Sequence, residues 1–216
     1  MSLVSYFWRV TEYFSQSDKR GISYIGAADG QIYEVRESMI GKMVAKPPAI
    51  PSLDNLTESF SFRLPKIPGH IFNQMYSFFK DFCLRSDVEV MLQLYFDTET
   101  KRYFLECPVQ HVSKVKVHAE LDPKYLGRNS LRFIQVAQVH SHNSMSAYFS
   151  ATDNQDEKAF MLYGVFGLLN TDTPQAKFRV KGNDTELAIP IDQIFESGAL
   201  VEVPYPAEWE TRVKYQ

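Results

Sequence analysis

Cysteine is scarce: Cys83 and Cys107 are the only two in 216 residues, and they lie too far apart to form a Cys-x-x-Cys pair. That excludes a disulfide framework and a thiolate-rich structural zinc site, and it leads us to expect a reducing, cytoplasmic setting. An excess of positive charge is missing as well. Lys and Arg number 23 against 26 Asp and Glu, so the chain carries a formal charge of −3 and no basic footprint for nucleic acid. Long apolar runs are absent, since no window approaches the roughly 18 uninterrupted residues of a membrane span. The opening stretch "MSLVSYFWRVTEYF" is broken by Arg9 and Glu12 and has no small-residue cleavage site, so no secretion signal is expected. Internal repeats and low-complexity segments are also lacking.

What is present is an ordinary globular composition with many rings: 44% hydrophobic, 23% charged and 14% aromatic. A chain of this length buries a core without needing disulfides or a structural metal. The first 65 residues read as a small extension. "ISYIGAADGQIYEVR" predicts two short strands joined at Ala28-Asp29-Gly30, and five prolines between Pro47 and Pro68 predict an irregular connector. Residues 66–200 read as the main domain and 201–216 as a tail.

Within the main domain, Ile71, Met75, Phe78, Phe79 and Phe82 recur at helical spacing behind Pro68. "VEVMLQLYF" alternates as a strand, with Val88, Val90, Leu92, Leu94 and Phe96 on one face and Glu89, Met91, Gln93 and Tyr95 on the other. Further strands are expected at 102–109, 112–121, 131–142, 165–170, 177–182 and 185–191, and a helix at 150–164. Within 112–121, Lys114, Lys116 and His118 would form the wet face and Val115 and Val117 the dry one. This order predicts a layered α+β domain of the α/β kind rather than a bundle or a sandwich.

The chemistry concentrates in "HSHNSMSAYFSATD", residues 140–153. Period-two alternation puts His140 and His142 on one face of their strand, continuing the row of Ile134, Val136 and Gln138. Such a pair alone is commonplace on protein surfaces. Ser150 and Asp153 fit a capping box at a helix start, which leaves the carboxylate at the helix entrance. The seven residues from Asn143 to Phe149 can reach about 25 Å when extended, enough to return Asp153 to the histidines. Two imidazoles and a carboxylate make a three-ligand set with an open fourth position, unlike a closed structural site. Zinc held there would polarise a carbonyl and acidify its water, the equipment of amide hydrolysis, given a general base and an oxyanion donor.

The pattern H-S-H-x7-S-x-x-D resembles the JAMM motif of the JAB/MPN metalloprotease family. The resemblance covers about residues 66–196 and implies a mixed β-sheet flanked by helices. It further implies that His140, His142 and Asp153 ligate Zn2+, that Ser150 stabilises the oxyanion, and that Glu89 activates the zinc-bound water and then protonates the leaving amine. Glu99, Glu106 and Glu120 also lie between the first helix and the histidine strand and remain alternatives to Glu89. Two features depart from the family: Asn143 stands where proline is common, and Leu92, Leu94 and Phe96 replace a Gly-x-Leu-x-Gly pattern of which only the middle leucine survives.

The compact chain lacks the long insertions of eukaryotic deubiquitinases and is similar to bacterial members, including JAB proteins of plasmid-type PRTRC gene clusters. The implied substrate is the extended C-terminal tail of a ubiquitin-like or sulfur-carrier-like protein, and the implied partner an E1-like adenylating protein. A non-catalytic interaction module and a metal-dependent small-molecule enzyme are the competing expectations. Cys83 and Cys107, without a histidine partner, are expected to be buried and inert.

Overall fold

The computed structural model describes residues 4–17, 21–120, 122–125 and 131–216. The chain divides into two compact units, Met1–Thr57 and Glu58–Gln216.

The first unit holds β1 (Val4–Phe7), α1 (Val10–Ser15), β2 (Ile22–Gly26), β3 (Ile32–Ser38) and β4 (Gly41–Ala45). They form one sheet in the order β1-β2-β3-β4, with β1 parallel to β2 and the other pairs antiparallel. The expected Asp-Gly turn joins β2 to β3. Gly30 takes a φ of 74° there, and the Asp29 carboxylate accepts the Gln31 N–H at 3.1 Å. Phe7, Tyr13, Ile25 and Val35 make its small core. The flanking strands escaped the sequence reading because both are short and β4 is largely exposed.

The second unit starts earlier than residue 66. Phe60, Phe62 and Leu64, which the sequence assigns to the connector, pack against its core, and the Gln193 amide donates to the Phe60 carbonyl at 2.5 Å. Helix α2 (Gly69–Ser86) lays Phe72, Met75, Phe78, Phe79 and Phe82 along one buried stripe. It ends where Asp87, at φ 50°, returns its N–H to the carbonyls of Phe82 and Cys83.

The stripe packs on a six-stranded sheet. Its strands are β5 (Met91–Asp97), β6 (Arg102–Glu106), β9 (Phe133–Ser141), β10 (Met161–Gly167), β11 (Gln175–Gly182) and β12 (Thr185–Ile189). The spatial order is β12-β11-β10-β9-β5-β6, with β9 and β10 parallel and the other neighbours antiparallel. The unit is therefore a mixed α+β layer structure, completed by the short helices α3 (Ala151–Asp156) and α4 (Ile191–Ile194). Among the described residues no helix is long and apolar enough to cross a membrane.

Three expectations change in detail. The segment 112–121 is not one strand: β7 (Gln110–Ser113) and β8 (Lys116–Ala119) form a hairpin that leaves Val115 exposed at its turn. Leu121 lies outside the described residues. The helix expected over 150–164 stops at Asp156, and residues 161–167 become a buried strand instead. Apolar residues on both faces carry no period, so that strand could not be told from a helix by pattern. Gly164 and Gly167 fit its crowding, because a Cβ on Gly167 would meet the Met145 carbonyl at 2.4 Å. Finally, residues 201–216 are not a loose tail. Trp209 and Val213 join the core, and β13 (Val213–Tyr215) pairs in parallel with β7 to complete a three-stranded sheet in the order β13-β7-β8.

Candidate metal centre

The histidine strand β9 carries an irregularity that the sequence concealed. Opposite β5, Leu94 pairs with Ala137 and Tyr95 with Gln135, so Val136 is an extra residue in the register. The expected row of Ile134, Val136 and Gln138 is therefore broken. Met91 opposes His140 and Gln93 opposes Gln138, while Val136, Ala137 and Val139 join the core on the α2 side. His140 is left on the opposite face, where the loop to α3 returns.

His142 leaves the β5 ladder and donates its N–H to the Phe166 carbonyl at 2.7 Å. Asn143 follows at φ 47°. Proline, locked near −65°, could not occupy that left-handed position, whereas asparagine tolerates it. Ser150 then caps α3 by accepting the Asp153 N–H at 3.2 Å, and the Asp153 carboxylate accepts the Ser150 N–H at 2.6 Å.

The loop geometry brings His140, His142 and Asp153 together, with one donor atom of each lying within 4.8 Å of the others. The two Nε2 atoms are 3.1 Å apart, and Asp153 Oδ1 lies 3.4 Å from His140 Nε2. Both imidazoles are buried, and burial lowers the affinity of each for a proton, pushing His140 down to about 4 with Asp153 opposing. Neutral imidazoles are the form that ligates metal at neutral pH. The set of two nitrogens and one carboxylate oxygen fits zinc with an open position. His142 Nδ1, on the far side of its ring, is buried and among the described residues makes no well-formed hydrogen bond, with only the Ser146 backbone favouring its protonated form.

Glu89 stands beside this set, with Oε1 3.9 Å from His142 Nε2. The residue is 6% exposed, and burial, reinforced by the nearby Asp153 charge, pushes its carboxyl up to about 8. The alternative glutamates are engaged elsewhere. Glu99 pairs with Arg132, Glu106 accepts the Tyr125 hydroxyl and pairs with Arg212, and Glu120 faces His111. Ser150 lines the same cleft, and among the described hydrogen bonds its hydroxyl acts as an acceptor, leaving the proton uncommitted. The cleft has a volume of about 530 Å³. Gln93 and Gln138 line it beside the candidate ligands, and β8, the edge of its sheet, borders it.

Sequence reasoning missed how α3 is held in place. Arg179 and Lys181 alternate along β11, yet both are 3% exposed. Lys181 donates to the Asn154, Glu157 and Asn183 carbonyls, two of them in the last turn of α3 and its C-cap. The Arg179 guanidinium sits over the Phe149 ring, 3.8 Å from its centroid, and binds Glu157, Asn154 and Glu186. Lys177, Arg179 and Lys181 alternate along one face of β11 as a solvated cationic face would, so nothing in the sequence marked the two that are buried. Arg179→Met should cost about 3 kcal/mol in urea unfolding, the low end for a broken buried pair. The low end applies because burial, against the pull of Arg179, pushes the Glu157 carboxyl up to about 7, so it can take a proton once unpaired. A cost below about 0.5 kcal/mol, the range of ordinary surface substitutions, would show that the pair does not anchor α3.

Cys83 and Cys107 are buried, and burial pushes the Cys107 thiol up to about 12, which leaves no nucleophile there.

Neither protein-family models nor curated proteins match the chain. Among solved structures it is similar to the solution structure of protein DSY2949 from Desulfitobacterium hafniense, at 14% identity over 54% of this chain and 85% of that one, with a TM-score of 0.34.

Proposed function

We propose that the second unit is a JAB/MPN-like zinc-dependent hydrolase that cleaves a peptide or isopeptide bond at the extended C-terminal tail of a ubiquitin-like or sulfur-carrier-like protein. The observation that carries this reading is the convergence of His140, His142 and Asp153 with Glu89 set 3.9 Å from His142. Zinc in that set supplies Lewis-acid polarisation of the carbonyl and a water acidified to near neutral pH.

The chain's own residues would do the rest. Burial alone favours the protonated form of Glu89, and a cation held beside it would favour the carboxylate, which could then take a proton from the attacking water and pass it to the leaving amine. Ser150 donates its uncommitted hydroxyl proton to the oxygen on which negative charge develops. The described edge of β8 offers unpaired backbone groups along the cleft, which suits an extended peptide better than a small molecule.

The test is cleavage of ubiquitin-like C-terminal conjugates by the purified chain, with and without a chelator. Cleavage that stops on chelation and returns with one equivalent of zinc is expected. A chain that neither contains nor takes up zinc sinks the reading. One that binds zinc and conjugate without turnover is the interaction module instead.

A further inference from the structure

We propose that two fully buried side chains, Ser141 and Gln110, clamp the backbone of residues 89–91 and thereby fix where Glu89 stands against the metal-binding residues. The importance of that position rests on the reading of Glu89 as the proton carrier.

Glu89 lies just before β5 begins, so regular pairing does not hold it. On the β9 side, the Ser141 N–H donates to the Val90 carbonyl at 3.0 Å as a ladder would. The return bond is different: the Val90 N–H donates to the Ser141 hydroxyl, also at 3.0 Å, and not to a backbone carbonyl. The hydroxyl in turn donates to Asn143 Oδ1 at 3.3 Å. The next N–H, of His142, faces the other side and donates to the Phe166 carbonyl of β10, so the Ser141 side chain makes the last rung toward β5.

A second substitution occurs on the other edge of β5. Strand β6 ends at Glu106, opposite Gln93, and Pro108 has no N–H to continue it. The Gln110 carboxamide fills the gap. Its Oε1 accepts the Met91 N–H at 2.8 Å and its Nε2 donates to the Met91 carbonyl at 2.9 Å, the donor and acceptor of a peptide unit supplied by a side chain. Nε2 also reaches Cys107 Sγ at 3.2 Å and the Pro108 carbonyl at 3.4 Å. Just beyond, the Glu89 N–H donates to the Ser113 carbonyl at 2.9 Å.

Ser141 and Gln110 are both 0% exposed, so deleting either leaves backbone polar groups that water reaches only if the segment moves. Gln110 lies on a different element from all three candidate ligands. Its loss should therefore move Glu89 while sparing the zinc.

Gln110→Met, Ser141→Ala and Ser141→Thr test this in the full chain. Gln110→Met and Ser141→Ala should retain one equivalent of zinc. They should exchange the Met91 and Val90 amide hydrogens, respectively, about tenfold faster, as loss of one hydrogen bond implies. On a cleavable conjugate, kcat should fall about 10²-fold, the size of a misplacement near 1 Å, while KM stays within about twofold. Ser141→Thr, which keeps the hydroxyl, should restore both readouts. Unchanged exchange, or unchanged kcat in folded Gln110→Met, overturns the clamp. If Gln110→Met does not fold, Ser141→Ala against Ser141→Thr decides the matter. If the native chain cleaves no conjugate, the hydrolase reading fails, and the exchange rates still decide whether the clamp exists.

Discussion

His142→Ala should purify without zinc and fail to regain it at concentrations that saturate the native chain. One of three donors is removed, and the two that remain, His140 and Asp153, are fewer than any stable zinc site employs. Even outer-shell partners of a ligand are worth 10–100-fold in affinity, so loss of a ligand should cost at least about 10²-fold. The fold should survive. The imidazole makes no strong hydrogen bond through Nδ1 among the described residues, only a weak approach to the Ser146 backbone, so its removal costs chiefly a small cavity.

Thermal unfolding gives a second reading of the same event. Zinc at one hundred times its Kd should stabilise the native chain by about 2.7 kcal/mol and leave His142→Ala where it was. His118→Ala is the matched control, since His118 borders the cleft on exposed β8 and is not a member of the ligand set. Full zinc content in His142→Ala, or equal losses in both variants, would remove the centre from consideration.

How much of this could be read from the residues depends on the range over which each feature is determined. The segment from His140 to Asp153 was legible because its parts are local: a strand end, a seven-residue loop and a capping box that closes within one helical turn. Alternation along 88–96 was legible too, since Val90, Leu92, Leu94 and Phe96 all reach the core.

Features settled between elements were not legible. The extra residue at Val136 exists only as a mismatch of register with β5, and nothing in the run "FIQVAQV" marks it. The turn at Lys114 and Val115 lacks the glycine or proline that would have announced a hairpin. Ser141, a small residue between two histidines, shows no chemistry in the sequence, and its hydroxyl acquires a task only once Val90 is brought opposite. Gln110 in a sequence is simply a polar residue. Its burial follows from Pro108 interrupting the neighbouring strand. Arg179 and Lys181 read as solvated cations until α3 and Phe149 close over them.

Glu89→Gln should have the opposite profile to His142→Ala, keeping zinc and losing turnover. The carboxyl is buried against His142 and Asp153, where burial already favours its neutral, protonated form. An amide of the same shape therefore removes no charge on which the fold relies, and the ligand set is untouched. On the proposed reading, what disappears is the ability to accept a proton from the attacking water and deliver it to the leaving amine. A positioned general base contributes about 10²–10⁴-fold, and kcat should fall within that range. KM should change little, because the role proposed for Glu89 is exercised on the water and the leaving amine and not on the substrate's tail.

Glu99→Gln, Glu106→Gln and Glu120→Gln serve as the comparison set. Each of those carboxylates has a cationic partner or faces His111, and in the structure none of them meets a candidate ligand. Their variants should keep turnover within about threefold of the native chain, as expected of residues outside the reacting geometry. Full activity in Glu89→Gln would transfer the proton-carrying role to another group and leave the 3.9 Å approach to His142 without a catalytic meaning. Loss of zinc together with turnover in Glu89→Gln would make Glu89 a fourth donor, and the open position of the centre would then be closed.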